Sequence, residues 1–250
     1  MHGSNDYQSV IDSRRDSIEG FLLFANGLDS CVAPRVAAMK LALAGASGLV
    51  GGEVAAQAAE RGYVLQFVGR RSLGASDREI LTDFRKPVSL GEADAAICTL
   101  GTTIASAGSR EAFRGVDHDA VLTFAESARA SGIEHFLMVT AVGANPRAGV
   151  FYSRVKGEVE RDVQNLGFRR VDIAQPGLLL GQREERRPVE AFLQAANPLL
   201  QHLMLGPMDR YAGISAVTVA AALLRLCETA REPGTYRHEN RALTASANAG

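Results

Sequence analysis

Cysteine is scarce in this chain of 250 residues: Cys31, Cys98 and Cys227 stand far apart, with no CxxC spacing. An odd number at such intervals argues for reduced thiols in a cytosolic protein. The five histidines, His2, His118, His135, His202 and His238, never fall at ligand spacing, so no metal site is expected. No uninterrupted apolar run approaches the ~20 residues that a bilayer span requires; the Ala/Gly-rich stretch from Val36 to Ala59 is broken by Lys40 and Glu53. Charge of one sign is also lacking. With 27 basic and 28 acidic side chains the net charge is −1, which gives no reason to expect nucleic acid or a membrane surface as a partner. A basic segment followed by a cleavable apolar one is missing from the N-terminus, so no signal peptide is expected. Internal repeats and low-complexity linkers are absent too.

What is present is ample apolar material, 46% of residues, enough for one large α/β domain. Residues 1–38 are polar apart from Phe21 to Ala25, and are expected to form a loosely ordered extension ahead of a start-like Met39. From Met39 onward, strand-length apolar segments alternate with helical stretches. The strands are Lys40–Ala44, Val64–Val68, Glu79–Thr82, Ala95–Leu100, His135–Thr140 and Val171–Ala174. The helices are Val50–Arg61, Val116–Ala130, Val150–Leu166, Val189–Leu203 and Ala216–Thr229. Strands apolar on both faces and separated by helices predict a doubly wound parallel sheet, the Rossmann architecture, over residues 39–243. A short extended piece is expected around Thr235–Leu243, then a frayed tail over 244–250.

The turn between the first strand and helix reads Gly45-Ala46-Ser47-Gly48-Leu49-Val50-Gly51. Glycines there let the backbone approach a bulky anion, and the helix N-terminus offers it free N–H groups and partial positive charge. The spacing is not GxGxxG; the strand before and the helix after are what point to a dinucleotide. The second strand ends in Phe67-Val68-Gly69-Arg70-Arg71, with two arginines where an acid would bond the ribose 2′-hydroxyl of NAD. Guanidinium groups suit a 2′-phosphate, so NADP(H) is favoured over a merely solvated basic loop. Asp83 could meet the adenine amino group or serve as a cap or turn residue. The fourth strand ends in Cys98-Thr99-Leu100-Gly101-Thr102-Thr103, small enough to seat the cofactor's ribose.

Tyr152 and Lys156 are four apart in a helical stretch and so share one face. An ammonium beside a phenol favours the phenolate, as an acid–base tyrosine requires. Thr140 closes the fifth strand twelve residues earlier. A hydroxyl at the carboxyl end of a parallel strand faces the ligand crevice, so the three side chains could converge on one carbonyl. His135 and Cys98 lie in apolar runs and read as core.

With these residues the chain resembles the short-chain dehydrogenase/reductase superfamily, through Gly45, Gly48 and Gly51 and the YxxxK pair Tyr152/Lys156. It looks more like the atypical branch that contains the Tat-interacting-protein oxidoreductases. Carrying that likeness are Leu100-Gly101-Thr102-Thr103, Ala107-Gly108-Ser109, Val116-Asp117, the run Tyr152…Val155-Lys156-Gly157-Glu158-Val159-Glu160, and Arg183-Glu184-Glu185-Arg186-Arg187-Pro188. The resemblance implies that Tyr152 passes the proton and Lys156 binds the nicotinamide ribose and tunes Tyr152. It implies that Thr140 holds the substrate oxygen, Arg70 holds the adenosine phosphate, and Pro176-Gly177 passes beside the nicotinamide. Threonine stands at 140 where serine is usual, and Gln175 precedes Pro176 where arginine is usual. Arg183, Glu185 and Arg187 could line the substrate pocket or form a salt-bridged surface loop.

Three functions fit this pattern. The first is a cytoplasmic NADP(H)-dependent reductase of a small carbonyl compound. The second is a non-catalytic NADP(H) sensor acting through a protein partner. The third is an epimerase of a nucleotide-activated sugar, for which the short remainder after Gly177 leaves little room. A homo-oligomer is compatible with each.

Overall fold

The computed structural model describes residues 38–74, 78–180, 209–229 and 232–249. The expected extension (all but Ala38), the helix Val189–Leu203 and the charged segment Arg183–Pro188 lie outside the described residues. The elements are β1 (Lys40–Ala44), α1 (Leu49–Glu60), β2 (Val64–Gly69), β3 (Glu79–Leu81), β4 (Ala95–Cys98), α2 (Ile104–Ala107), α3 (Arg110–Arg114), a π-helical stretch Gly115–Ala120, α4 (Val121–Ala130) and β5 (His135–Val139). There follow α5 (Phe151–Gln164), β6 (Arg170–Gln175), β7 (Leu178–Leu180), a 3-10 turn (Asp209–Tyr211), β8 (Gly213–Ser215), α6 (Ala216–Thr229), β9 (Gly234–Glu239) and α7 (Asn240–Ala247).

Seven strands form one sheet in the order β3-β2-β1-β4-β5-β6-β9, every neighbouring pair parallel. This is the doubly wound sheet that the alternation predicts, with its order reversing between β1 and β4, where open α/β sheets bind ligands. Alternate residues of each strand point to opposite faces. Leu41, Leu43, Ile97 and Leu137 pack with Val54 of α1 and Leu223 and Leu224 of α6. Ala42, Ala44, Ala96 and Met138 face α4 and α5 instead. The small β1 alanines leave room on that face for Phe124 and Phe136, whose ring centroids lie 5.9 Å apart, and Phe168 stacks on Phe136 at 5.0 Å. Each such side chain taken fully out of water is worth roughly 1.5–3 kcal/mol.

Two sequence expectations need correction. The extended piece expected around Thr235–Leu243 is strand β9 only as far as Glu239, and the expected frayed tail is in part helical: Asn240–Ala247 forms α7, and fully buried Leu243 joins the core beside α6. The helix expected at Val116–Ala130 opens with the π-helical stretch, and regular α-helix begins at Val121. The small parallel pair β7–β8 is additional to the predicted strands.

Candidate cofactor cleft and reactive site

The glycine turn works by close approach. Gly45 takes φ +89°, which an L side chain rarely adopts, and its carbonyl accepts the Gly48 N–H at 2.9 Å. A Cβ at Gly51 would lie 2.2 Å from that carbonyl oxygen and 2.5 Å from the Thr99 hydroxyl. The first turn of α1 is thus pressed against the ends of β1 and β4. Gly48 caps α1 without a side-chain hydrogen bond, and no acid stands in the first turn, so the amides at this helix start keep their positive end for an anion. Thr99, expected among the cofactor contacts, turns its hydroxyl inward to the Ala44 carbonyl at 2.9 Å and locks this turn in place.

Beside the turn lies a cleft of about 160 Å³. Gly45, Ala46 and Ser47 form one wall, Phe67 to Arg71 and Leu73 another, and Glu79 to Leu81, Phe84 and Leu100 the rest. Arg70 and Arg71 are exposed at its mouth. Asp83 adopts the turn role among its expected alternatives: its carboxylate accepts the Arg85 N–H at 3.0 Å and pairs with the Arg85 guanidinium at 3.3 Å. Phe84, at φ +59°, instead turns a buried ring to the cleft. The close glycine cradle and the uncapped helix start fit the phosphates of a dinucleotide, and a guanidinium pair stands at one end of the cleft.

The second half of the site sits on α5. Tyr152 packs its ring against buried Phe113 of α3, centroids 5.5 Å apart. Gly157 lets the loop after β5 cross this helix, since a Cβ there would lie 2.2 Å from the Asn145 carbonyl carbon; the Asn145 N–H donates to the Ser153 carbonyl at 3.0 Å. One turn along from Tyr152, the Lys156 ammonium meets the Asp117 carboxylate at 2.7 Å, both side chains almost wholly buried. Asp117 also accepts the Thr102 N–H at 2.8 Å. Burial works to discharge Lys156, and the Asp117 carboxylate, with Tyr152, overrides it and raises the lysine above its ordinary range. Burial likewise pushes the Asp117 carboxyl up, against the pull of Lys156. A Cβ at Gly101 would come within 3.6 Å of the Lys156 nitrogen, so the amine lies beside the end of β4. Leu100, Gly101 and Thr102 therefore link the cleft to Lys156. Sequence reasoning missed Asp117 as a partner: Asp119 and Glu126 stand in the same helical stretch, and nothing local singles out the acid that meets Lys156. Cys98 is buried close by, and burial pushes its thiol up to about 12.

Thr140, expected to converge with Tyr152 and Lys156, makes its side-chain hydrogen bond to a different group. Its buried hydroxyl donates to Glu160 at 2.6 Å, two helical turns beyond Tyr152, or about 12 Å of rise. Glu160 also accepts from Gln175 at 2.8 Å and from Arg237 at 3.1 Å. The Pro176 carbonyl accepts the Val142 N–H at 3.0 Å, and the Asn240 side chain bridges the Gly177 N–H and the Ala212 carbonyl at 2.9 and 2.8 Å. Pro176-Gly177 is thereby fixed at the carboxyl end of β6. Among the described residues no group of His, Cys, Asp and Glu is placed to hold a metal, and no helix is long and apolar enough to cross a membrane.

A parallel sheet of this order, a glycine turn opening α1 and a YxxxK pair on α5 define a short-chain dehydrogenase/reductase-type Rossmann protein. Solved structures share the fold. Human epimerase family protein SDR39U1 with NADPH superposes with TM-score 0.58 at 17% identity, over 80% of this chain and 73% of that one. A short-chain dehydrogenase/reductase superfamily protein from Agrobacterium tumefaciens with bound NAD gives 0.60 at 15% identity, over 79% and 76%. No family model matches the chain. Protein HTATIP2 of Rattus norvegicus is 34% identical over 184 residues, 69% of this chain and 72% of the rat protein. Mitochondrial protein fmp52 of Aspergillus clavatus is 30% identical over 198 residues, 73% and 85% of the two chains, and that of Emericella nidulans 40% identical over 127 residues. The chain spans about half the length of several fungal fmp52 relatives that it matches. The chain belongs to the HTATIP2/fmp52 family, and it shares its fold with the epimerase-family and short-chain dehydrogenase/reductase structures above. The names of the fungal relatives place them in mitochondria, which overturns the cytoplasmic expectation.

Proposed function

We propose that this protein is an NADP(H)-dependent oxidoreductase that reduces a small carbonyl compound. The observation that carries the reading is the buried Lys156–Asp117 pair at the junction between the glycine-turn cleft and Tyr152. The α1 amides and Gly45 to Gly51 would hold the pyrophosphate, Arg70 and Arg71 the 2′-phosphate, and Gly101 and Lys156 the nicotinamide ribose, with Pro176-Gly177 flanking the ring. When bound, the nicotinamide supplies a hydride. Tyr152 gives its proton to the substrate oxygen, and Phe113 fixes the plane of its ring. Lys156, kept charged by Asp117, supplies the positive field that favours the phenolate left behind. Thr140 acts from behind, bracing α5 through Glu160.

Replacing Tyr152 by Phe is expected to abolish NADPH-dependent carbonyl reduction and leave NADPH affinity within about twofold, since the lost hydroxyl serves the chemical step. Full turnover in that variant refutes the mechanism. One observation favours a second reading, a non-catalytic NADP(H) sensor with a protein partner: the Thr140 hydroxyl is committed to Glu160 instead of the substrate side. A broad carbonyl screen that stays silent beside tight NADPH binding would select it. The names of the fungal relatives support a mitochondrial location, which fractionation of the tagged full chain tests.

A further inference from the structure

We infer that Glu79 is a positioning residue for cofactor choice, holding the turn after β2 in the shape that presents Arg70 and Arg71 at the cleft. This rests on reading the cleft as a pyridine-nucleotide site. Glu79 opens β3 opposite Phe67 of β2 and lines the same cleft as the two arginines. One carboxylate oxygen accepts the Leu73 N–H at 2.5 Å and the other the Ser72 hydroxyl at 2.6 Å. The Ser72 oxygen in turn accepts the Gly74 N–H at 3.1 Å. On the other limb, the Gly69 carbonyl accepts the Thr82 N–H at 2.9 Å. Arg70 and Arg71 thus span two anchors, both on or just after β3, and neither forms an ion pair among the described residues.

The arrangement has one electrostatic cost and one entropic gain. The carboxylate keeps its charge while both its oxygens accept hydrogen bonds from the turn, so its repulsion of a 2′-phosphate is the cost set against the ordering of the arginine-bearing turn. Two exposed arginines lose side-chain entropy on binding, and a backbone already fixed beneath them reduces what remains to be ordered. Glu79 therefore acts on the phosphate without touching it.

The test needs the cofactors alone. NADPH and NADH are titrated calorimetrically into the wild-type chain and into Glu79→Ala, Glu79→Gln and the double variant Arg70→Ala/Arg71→Ala. The wild type is expected to favour NADPH. Glu79→Ala should cut that preference about tenfold, the span of one charge-assisted hydrogen bond, with NADH affinity little changed. Glu79→Gln, which keeps one acceptor oxygen, should fall between and guards against a misfolded alanine variant. A purely structural role would lower thermal stability and leave the NADPH:NADH ratio alone; an unchanged ratio in both Glu79 variants overturns the inference. Equal wild-type affinities overturn the arginine reading, and this inference with it. A wild-type preference lost in the arginine variant but kept in both Glu79 variants overturns this inference alone.

Discussion

Asp117→Asn removes one charge and almost no volume, and the outcome can be worked from the structure. The Asp117 side chain is fully buried, and that of Lys156 is 5% exposed, 2.7 Å away. Removing one member of such a pair leaves the other buried without a counter-charge, which costs about 3–5 kcal/mol. The asparagine oxygen can still accept the Thr102 N–H, so that hydrogen bond contributes little to the loss. Against a stability of roughly 5–15 kcal/mol for a single domain, the effect is large. The pH dependence distinguishes it from a packing defect. In the wild type Asp117 raises the folded-state pKa of Lys156, so the pair's stabilisation is fully present below the unfolded lysine value and is lost as pH rises through the folded one. In the variant the lone amine is discharged by burial. The gap between the proteins should therefore be widest near about pH 7 and shrink towards about pH 10, the ordinary lysine range. Urea unfolding at several pH values measures it. A double variant Asp117→Leu/Lys156→Met should cost less than the two single changes summed. A cost below about 1 kcal/mol with no pH trend would refute the buried-pair argument.

Three more outcomes follow from contacts elsewhere. Gly51→Ala places a methyl 2.2 Å from the Gly45 carbonyl oxygen; the α1 turn must shift, costing about 1–3 kcal/mol, and NADPH affinity should fall with melting temperature. Asp172 is enclosed by His135, His238 and Arg170 at 2.6 to 2.9 Å; burial works to raise its carboxyl, but the two histidines and the guanidinium outweigh it and hold it well below the usual range. Its contribution is present above the unfolded aspartate value of about 3.9 and lost as pH falls through the folded one, so Asp172→Asn should flatten the acid limb of the stability curve, read by circular dichroism. Cys98, buried and held as a neutral thiol up to about 12, should stay unmodified by an alkylating reagent in the native protein, and mass spectrometry of its peptide reads this.

Much of the fold was legible because it rests on local pattern. Leu41 and Leu43 alternate with Ala42 and Ala44 along β1, and Val50, Val54, Ala55 and Ala58 recur at helical spacing along α1; such periods survive without knowledge of partners. Helix α7 was not legible. Its sequence Asn240 to Ala247 is short and rich in small polar residues, and its first turn lacks a side-chain cap. It is stabilised by burying Leu243 beside α6, a long-range fact. Strands β7 and β8, three residues each and far apart in sequence, escaped for the same reason. The π-helical stretch has no local code that distinguishes it from α-helix, yet it carries Asp117 to Lys156.

The residues of the site divide along the same line. Glycines and the YxxxK pair are visible because spacing alone sets their relation, whereas a charge is understood only through its partner. Gln175 shows this best. Read alone, it is a missing cation where arginine is usual. In the fold the cation returns from the neighbouring strand: Arg237 of β9 reaches the Glu160 carboxylate at 3.1 Å, beside the Gln175 amide at 2.8 Å. A carboxyl group only 2% exposed needs hydrogen-bond partners for its oxygens, and these side chains supply them. The same carboxylate also accepts the Thr140 hydroxyl. An exchange at 175 that looked like a change at the substrate mouth is thus tied to a buried cluster behind it, and the hydroxyl expected at the reacting oxygen is part of that cluster.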